Sequence, residues 1–195
     1  MQLMPPPIPV ILAPYNPEWP QIAASHAERL RVLGSILVTV HHIGSTSVPG
    51  LAAKPIIDLM PLVTDLAKLD RERRCVEALG YNWHGEFGIS GRRYCTLSDE
   101  VGIRIVQLHF FNADSSQVER HIAFRDYLRA HPDTASAYEK EKRRARDLHS
   151  NDSHAYTDEK APWICDTEAK ALIWFAEQKA EPPIIPRGSD RARGL

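Results

Sequence analysis

The chain has few cysteines and no long apolar run. Its three cysteines are odd in number, lie far apart and form no CxxC pair, so the pattern argues against a disulfide framework and a structural zinc site. No stretch reaches the roughly 18 to 20 uninterrupted apolar residues of a transmembrane helix. Residues 1–14 carry no lysine or arginine and are broken by five prolines, which fits neither a signal peptide nor a spanning helix. We therefore expect a cytoplasmic protein with no membrane partner.

The chain also lacks an excess of either charge. Its 24 basic and 25 acidic residues leave a formal net charge of −1, so there is no strong signal for nucleic-acid binding. With 195 residues, of which 43% are hydrophobic, the chain can bury a core without disulfide bonds or a structural metal to stabilise it. We expect an N-terminal arm at 1–9, a single domain at 10–180 and a flexible C-terminal tail at 181–195, with the oligomeric state left open.

The spacing of apolar residues predicts a mixed α+β fold, with a mainly antiparallel sheet flanked by helices and further helices at the C-terminal end. Asp65 is placed to cap one helix, and Ser116 with Glu119 forms a capping box for another. The predicted strands are 36–43, 55–63, 91–97 and 103–111. The predicted helices are 17–33, 65–79, 116–131, 133–148 and 158–178.

Residues 41–62 concentrate the groups suited to chemistry. The turn Gly44-Ser45-Thr46 offers backbone N–H groups and hydroxyls with little side-chain bulk, as close approach of a phosphate requires. Lys54 adds a cation. Asp58 lies in an otherwise apolar strand, where an ionised carboxylate is costly unless it pairs with a cation or a metal. The segment predicts an anion site; a tight connection with a structurally paired Asp58 is the alternative.

The string HIGSTSVPGLAAKPIIDL, residues 42–59, resembles the signature of the GrpB family. The resemblance spans about residues 10–178, with further matches at 15–19, 91–94, 108–110 and 124–132, and at Tyr156, Lys160, Trp163 and Ile164. It implies the nucleotidyltransferase fold of the DNA polymerase β superfamily. It also implies an enzyme that moves a nucleotidyl group from a nucleoside triphosphate to a small molecule or protein.

In that superfamily a Gly-Ser pair binds the triphosphate, and carboxylates on the neighbouring strand hold two magnesium or manganese ions. Carried over, Gly44 and Ser45 match the phosphate-binding pair, with Thr46 beside them, and Asp58 matches the first metal carboxylate. The second carboxylate would fall at Met60, whose side chain cannot hold a hard cation. The resemblance therefore implies an incomplete set of metal ligands.

The third carboxylate is expected on a later strand, but the strand predicted at 103–111 contains no acid. Glu86 or Asp99 could replace it from a loop. Alternation along the strand places Gln107 and His109 on one face. His109 could act there as a base or a metal ligand near Asp58, or it could be an ordinary buried histidine.

A single transition metal is the alternative to magnesium. Imidazole suits zinc, manganese or iron better than magnesium, so His42, Asp58 and His109 could hold one such ion. His42 is chosen over its neighbour His41 because only one of the two can face a given pocket. This set of ligands would support metal-assisted hydrolysis of a phosphorylated compound.

Lysines and arginines supply the cations for an anionic substrate. The candidates are Lys54, Arg92, Arg93, Arg104, Arg143, Arg144 and Lys160. Of these, Lys54, Arg93 and Lys160 are chosen, and Lys160 resembles the family's lysine near the start of the final helix. Arg92 and Arg93 are neighbours on a predicted strand, so at most one of them should face the site. The basic stretch KEKRRAR at 140–146 is interpreted as a solvated helical face.

Three functions remain open on the sequence. The first is metal-dependent nucleotidyl transfer through Asp58. The second is a module that binds a nucleotide or another phosphorylated metabolite without chemistry, which Met60 favours. The third is the metal-dependent phosphohydrolase. In each case the expected partner is a nucleotide or a phosphorylated small molecule.

Overall fold

The computed structural model describes residues 7–180. The predicted flexible tail at 181–195 and most of the predicted arm at 1–9 lie outside the described residues. The backbone N–H of Val10 donates to the carbonyl of Ser150 at 2.8 Å, and Ala13 forms an antiparallel bridge with Ala53. The beginning of the described chain therefore packs against segments far away in the sequence.

The first helix of the described residues is α1, Trp19–Arg29, which continues as a 3₁₀ segment, Leu30–Ile36, into strand β1, Leu37–Ile43. A short 3₁₀ turn, Ser45–Ser47, follows β1. The remaining elements are β2 Ile57–Val63, α2 Leu66–Arg71, α3 Arg73–Ala78, β3 Asn82–Trp83, β4 Arg93–Ser98, β5 Arg104–Asn112, α4 Ser116–Ala130, α5 Pro132–Leu148 and α6 Ser153–Ala180.

The five strands form one sheet in the order β1-β2-β5-β4-β3. Only β2 and β5 run parallel, and the other neighbours are antiparallel. The predicted mixed α+β fold, a mainly antiparallel sheet flanked by helices, is confirmed.

Strand register divides the sheet into two faces. Asp58 pairs with Ile43 on one side and Gln107 on the other, and His109 pairs with Tyr94. Because neighbours in register share a face, these side chains lie together on what we call the site face. The intervening residues form the core face: Ile57, Leu59, Val63, Cys95, Val106, Leu108 and Phe110. The predicted placement of Gln107 and His109 on the same face of their strand is confirmed.

Different helices cover the two faces. The core face packs against Trp19 and Ala23 of α1 and against Leu69 and Val76 of α2 and α3. On the site face a smaller cluster of Ile43, Met60, Leu62 and Phe111 packs against α4. Helices α4, α5 and α6 pack on one another through a separate apolar cluster, which leaves room beside Asp58.

Several predicted boundaries were wrong. The helix predicted at 65–79 is split at Glu72 into α2 and α3, although Asp65 caps it as predicted, accepting from the N–H of Ala67 at 2.7 Å. The helix predicted to run up to Gly34 is α-helical only to Arg29. Gly34, with φ of 57°, then turns the chain into β1.

Two helix starts also differ from the prediction. Ser115, not Ser116, caps α4, and the expected partner Glu119 instead binds Lys179 at 2.7 Å. Helix α6 starts at Ser153 rather than 158, because the Asp152 carboxylate accepts from two backbone N–H groups of its first turn. The earlier start of α6 adds Tyr156 to this helix, one turn before Lys160.

Candidate functional site

A cavity of about 230 Å³ lies beside Asp58, between the sheet and helices α4 to α6. It brings together six of the predicted site residues: Gly44, Ser45, Thr46, Lys54, Asp58 and Lys160. The other lining residues are Ala53, Ile56, Gln107, Phe124, Tyr138, Lys142, Tyr156 and Thr157.

Gly44 places the turn directly against the carboxylate. Its φ of 69° lies in the left-handed region, and a Cβ at this position would stand 2.5 Å from Asp58 Oδ2. Both the backbone angle and the space therefore require glycine. The glycine of the sequence motif thus sets the distance between the turn and the strand.

Helix α4 holds the turn from outside. Arg125 Nη1 donates to the carbonyl of His42 at 3.1 Å, and the Arg129 guanidinium donates to the carbonyl of Ser47 at 2.7 and 3.0 Å. The two arginines are four residues apart and so share one side of the helix. The segment 124–132, one of the matches to the family, therefore supplies the two arginines that position the turn.

Three lysines converge on the cavity. Lys54 Nζ lies 5.4 Å and Lys160 Nζ 4.8 Å from the centre of the Tyr156 ring. Lys142, 2% exposed, donates to the carbonyl of Ala52 and lies 4.8 Å from the centre of the Tyr138 ring. Each ammonium group therefore lies near the face of an aromatic ring.

Burial lowers the pKa of all three ammonium groups. The pKa falls to about 8 for Lys54 and for Lys160, and to about 7 for Lys142. The positive charge of Lys160 lowers the pKa of Lys54 and Lys142 further, while Asp58 partly opposes the shift of Lys54 and Lys160. An anion in the cavity would favour the protonated form of each lysine.

The cavity is short of negative charge. In the part of the chain that the structure describes, one acidic residue, Asp58, and three lysines line the cavity, which gives an excess of two positive charges when all are ionised. Within residues 7–180 none of the three lysines takes part in an ion pair, whereas Lys179 does, with Glu119. The cavity therefore suits an anionic ligand.

Asp58 also contacts His109. The distance from His109 Nε2 to Asp58 Oδ1 is 3.4 Å, and His109 Nδ1 lies 3.4 Å from Arg92 Nη1. His109 does not line the cavity itself, but Gln107 on the same strand does. The predicted proximity of His109 to Asp58 is therefore present in the structure, at the border of the cavity.

Arg92, rather than the predicted Arg93, faces the border of the cavity beside His109. Arg92 is buried, and its guanidinium donates to the carbonyls of Glu86 and Phe87. Arg93 points to the core face and forms a two-bond ion pair with Asp70, at 2.6 and 2.7 Å. The choice of Arg93 as a phosphate ligand is not supported, because strand alternation turns it away from the cavity.

His42 does not join Asp58 and His109. It pairs with Leu59 on the core face, and its Nε2 lies 2.9 Å from Thr46 Oγ1. Burial lowers the pKa of His42 to about 4, so it is neutral at pH 7. The imidazole helps to hold Thr46 in the turn, and the proposed three-residue metal set is not assembled.

The donor atoms do not fit a two-ion magnesium site. Met60, at the position of the second carboxylate, is fully buried in the apolar cluster of the site face. Neither loop substitute reaches the cavity: Glu86 accepts from the N–H of Gly91, and Asp99 from the N–H of Val101 and of Ile103. Across residues 7–180 no group of three or more His, Cys, Asp or Glu side chains is arranged to hold a metal ion.

Sequence reasoning missed Lys142, Tyr138 and Tyr156. Lys142 lies in the stretch KEKRRAR, where Arg143 and Arg144 are exposed, Arg146 is half-buried, and all three are paired with glutamates or an aspartate. Tyr138, Lys142 and Ala145 are all buried and recur at spacings of four and three residues on α5. That spacing was the available signal, because it places Lys142 on the buried side of the helix.

Residues 9–170 match a protein-family model with the description "GrpB protein". The chain belongs to the GrpB family. The protein YqkA of Bacillus subtilis is 37% identical over 161 residues, which are 82% of this chain and 46% of that protein. The chain thus spans less than half the length of this relative. The protein BH1888 of Halalkalibacterium halodurans is 33% identical, over 83% of this chain and 82% of its own length.

A crystal structure of GrpB from Enterococcus faecalis is similar to most of this chain. It aligns with 85% of this chain and 99% of its own, with 37% identity and a TM-score of 0.80. This match extends the family assignment from the sequence to the fold.

The described part of the chain contains no helix with the length and apolar character needed to cross a lipid bilayer.

Proposed function

We propose that this chain binds a phosphorylated ligand, a nucleotide or a smaller phosphorylated metabolite, with its phosphate groups in the lysine cavity. The observation that carries the proposal is the convergence of Lys54, Lys142 and Lys160 on one cavity, where none of them has an ion-pair partner among residues 7–180. Burying several like charges together is unfavourable unless an opposite charge joins them. A phosphate supplies that charge and several acceptor oxygens.

The size of the cavity narrows the class of ligand. A volume of about 230 Å³ is below the roughly 300–1,000 Å³ of pockets that enclose a whole drug-sized ligand. One or two phosphate groups would fill much of this space. The rest of a larger ligand would extend outward past Thr157, which is exposed at the rim.

Nucleotidyl transfer is the second candidate function, as the family resemblance implies. Two observations favour it: the contact of Gly44 with Asp58, and the 3.4 Å approach of His109 to the same carboxylate. In such a reaction Gly44 and Ser45 would hold phosphate, and His109 could accept the proton of an acceptor hydroxyl. The geometry offers no comparable support for the hydrolase, since His42 lies on the other face.

Thermal unfolding tests binding. The full chain is heated with each of the four nucleoside triphosphates and with pyrophosphate, and a ligand at 100 times its Kd should add about 2.7 kcal/mol of stability. We expect stabilisation of the wild type and of Lys140→Met, whose exposed lysine lies on α5 outside the cavity. We expect none in Lys160→Met. Equal stabilisation of both variants would refute the cavity as the site.

A separate assay tests transfer. Pyrophosphate release is followed with a nucleoside triphosphate, a divalent metal and a panel of hydroxyl-bearing acceptors. Transfer predicts turnover that is lost in Asp58→Ala and in His109→Ala. If the protein binds the nucleotide but releases no pyrophosphate with any acceptor, the non-catalytic binding function stands and transfer is rejected.

A further inference from the structure

Among the described residues, the lining of the cavity has too few carboxylates for two divalent ions and an excess of ammonium groups. In a two-ion site, carboxylates hold the ions, and the ions neutralise the phosphates. Here the neighbour of Asp58 on the next strand is Gln107, a neutral amide, and the residue two positions along its own strand is the buried Met60. Neither can supply the second anionic ligand.

The lysines can carry the neutralising charge themselves. Lys54 comes from the connection before β2, Lys142 from α5 and Lys160 from α6, so three separate elements each bring one ammonium group to the cavity. Lys142 is fixed by its bond to the carbonyl of Ala52, and Glu139 on the same helix accepts from the N–H of Ala52. These contacts hold Lys142 in place before any ligand arrives.

We infer that the lysine ammonium groups, and not divalent ions, neutralise the phosphates in this cavity, so that the ligand is bound as a metal-free oxyanion. The inference rests on the proposed function and specifies the ionic form of its ligand. It also changes the expected role of Asp58. In a metal site Asp58 would attract the metal–phosphate complex, whereas beside a bare phosphate it repels the ligand.

Calorimetric titration with inorganic pyrophosphate tests whether Asp58 attracts or repels the ligand. The full chain is titrated in EDTA and again in excess magnesium, as wild type, Asp58→Asn, Lys142→Met and Lys140→Met. We expect the wild type to bind pyrophosphate in EDTA at least as tightly as in magnesium. Asp58→Asn, which keeps the shape of the side chain and removes its charge, should bind about tenfold more tightly in EDTA.

The lysine variants complete the test. Lys142→Met should weaken binding in EDTA by about tenfold or more, while the exposed control Lys140→Met should leave it unchanged. Lys160→Met provides a second variant in the event that Lys142→Met fails to fold. Binding that requires magnesium and is lost in Asp58→Asn would overturn this inference but leave the proposed function standing. No binding of pyrophosphate in either buffer would reject the proposed function, and the inference with it.

Discussion

The two faces of the sheet are built from alternate residues of the same strands and serve different purposes. On the core face Leu59 and Leu108 are fully buried against α1 to α3. One residue away, Asp58 and Gln107 border a cavity that contains three lysines. Because a single strand supplies both faces, the site gains its rigidity from the core beneath it.

The polarity of the two faces differs most at one end of β2. Beyond Asp58 the site face becomes apolar again at Met60 and Leu62, which pack against α4. The polar region is therefore confined to the place where the turn at Gly44, Asp58 and the three C-terminal helices meet. We expect substitutions to separate into those that affect stability and those that affect binding, according to the face they occupy.

The largest expected effect on stability lies on the core face. Leu108→Ala removes a fully buried side chain and should lower the free energy of unfolding by about 2–5 kcal/mol. Gln107→Ala, one residue away on the site face, should cost no more than about 1 kcal/mol. Urea denaturation of the two variants measures the difference. Equal losses would show that the two faces do not divide the roles in this way.

The next effect concerns the contact of the turn with Asp58. Gly44→Ala adds a Cβ 2.5 Å from Asp58 Oδ2 in a left-handed backbone, and should cost about 2–4 kcal/mol and abolish ligand binding. Gly50→Ala is the matched control, since its φ is 77° but its Cβ would meet open space. It should cost only about 1 kcal/mol and leave binding intact. Comparable loss of binding in both variants would contradict the importance of the contact.

Stability without ligand should depend on pH through Lys142. Its pKa is lowered to about 7 in the folded protein, so between pH 7 and 9 the unfolded chain binds more protons and stability rises with pH. Lys54 and Lys160, with pKa values of about 8, contribute in the same direction.

Lys142→Met isolates the share of this one residue. The rise in the free energy of unfolding between pH 7 and 9 should be about 2 kcal/mol smaller in Lys142→Met than in the wild type. Lys140→Met should reproduce the wild-type profile. Urea denaturation of the three proteins at the two pH values gives the six free energies of unfolding that the comparison needs. A profile of Lys142→Met parallel to the wild type would mean that Lys142 is not a strained buried cation.

The smallest effect distinguishes the two neighbouring arginines. Arg93→Gln breaks a partly exposed ion pair with Asp70 on the side away from the cavity, and should cost about 1 kcal/mol or less without changing pyrophosphate affinity. Arg92→Gln disturbs the buried group beside His109 and should cost more stability. If urea denaturation showed that Arg93→Gln loses more stability than Arg92→Gln, the placement of Arg92 beside His109 and of Arg93 on the core face would be wrong.

Regular alternation made much of the sheet and part of the site predictable. Asp58 and the pair formed by Gln107 and His109 follow from a period of two residues, and Gly44 from its motif. His42 and Arg93, both chosen as site residues, lie away from the cavity in the structure for a related reason. Alternation shows that neighbours point apart, but it does not tell which of the two faces a cavity formed by distant helices.

The lysine cluster depended on contacts that local patterns do not contain. Lys54, Lys142 and Lys160 are separated by 88 and 18 positions in the chain, and only the packing of α5 and α6 over the turn brings them together. Lys142 was further concealed by the charged residues around it. Its burial could have been inferred from its helical spacing to Tyr138, but its distance to Lys54 could not.

The most direct test of the account is the pKa of each cavity lysine, measured by NMR on isotope-labelled side chains with and without pyrophosphate. The account predicts pKa values near 8, 7 and 8 for Lys54, Lys142 and Lys160 in the free protein. On binding, all three pKa values should rise towards the ordinary lysine value of about 10.4. If pyrophosphate binds and leaves all three pKa values unchanged, the phosphates do not occupy the lysine cavity.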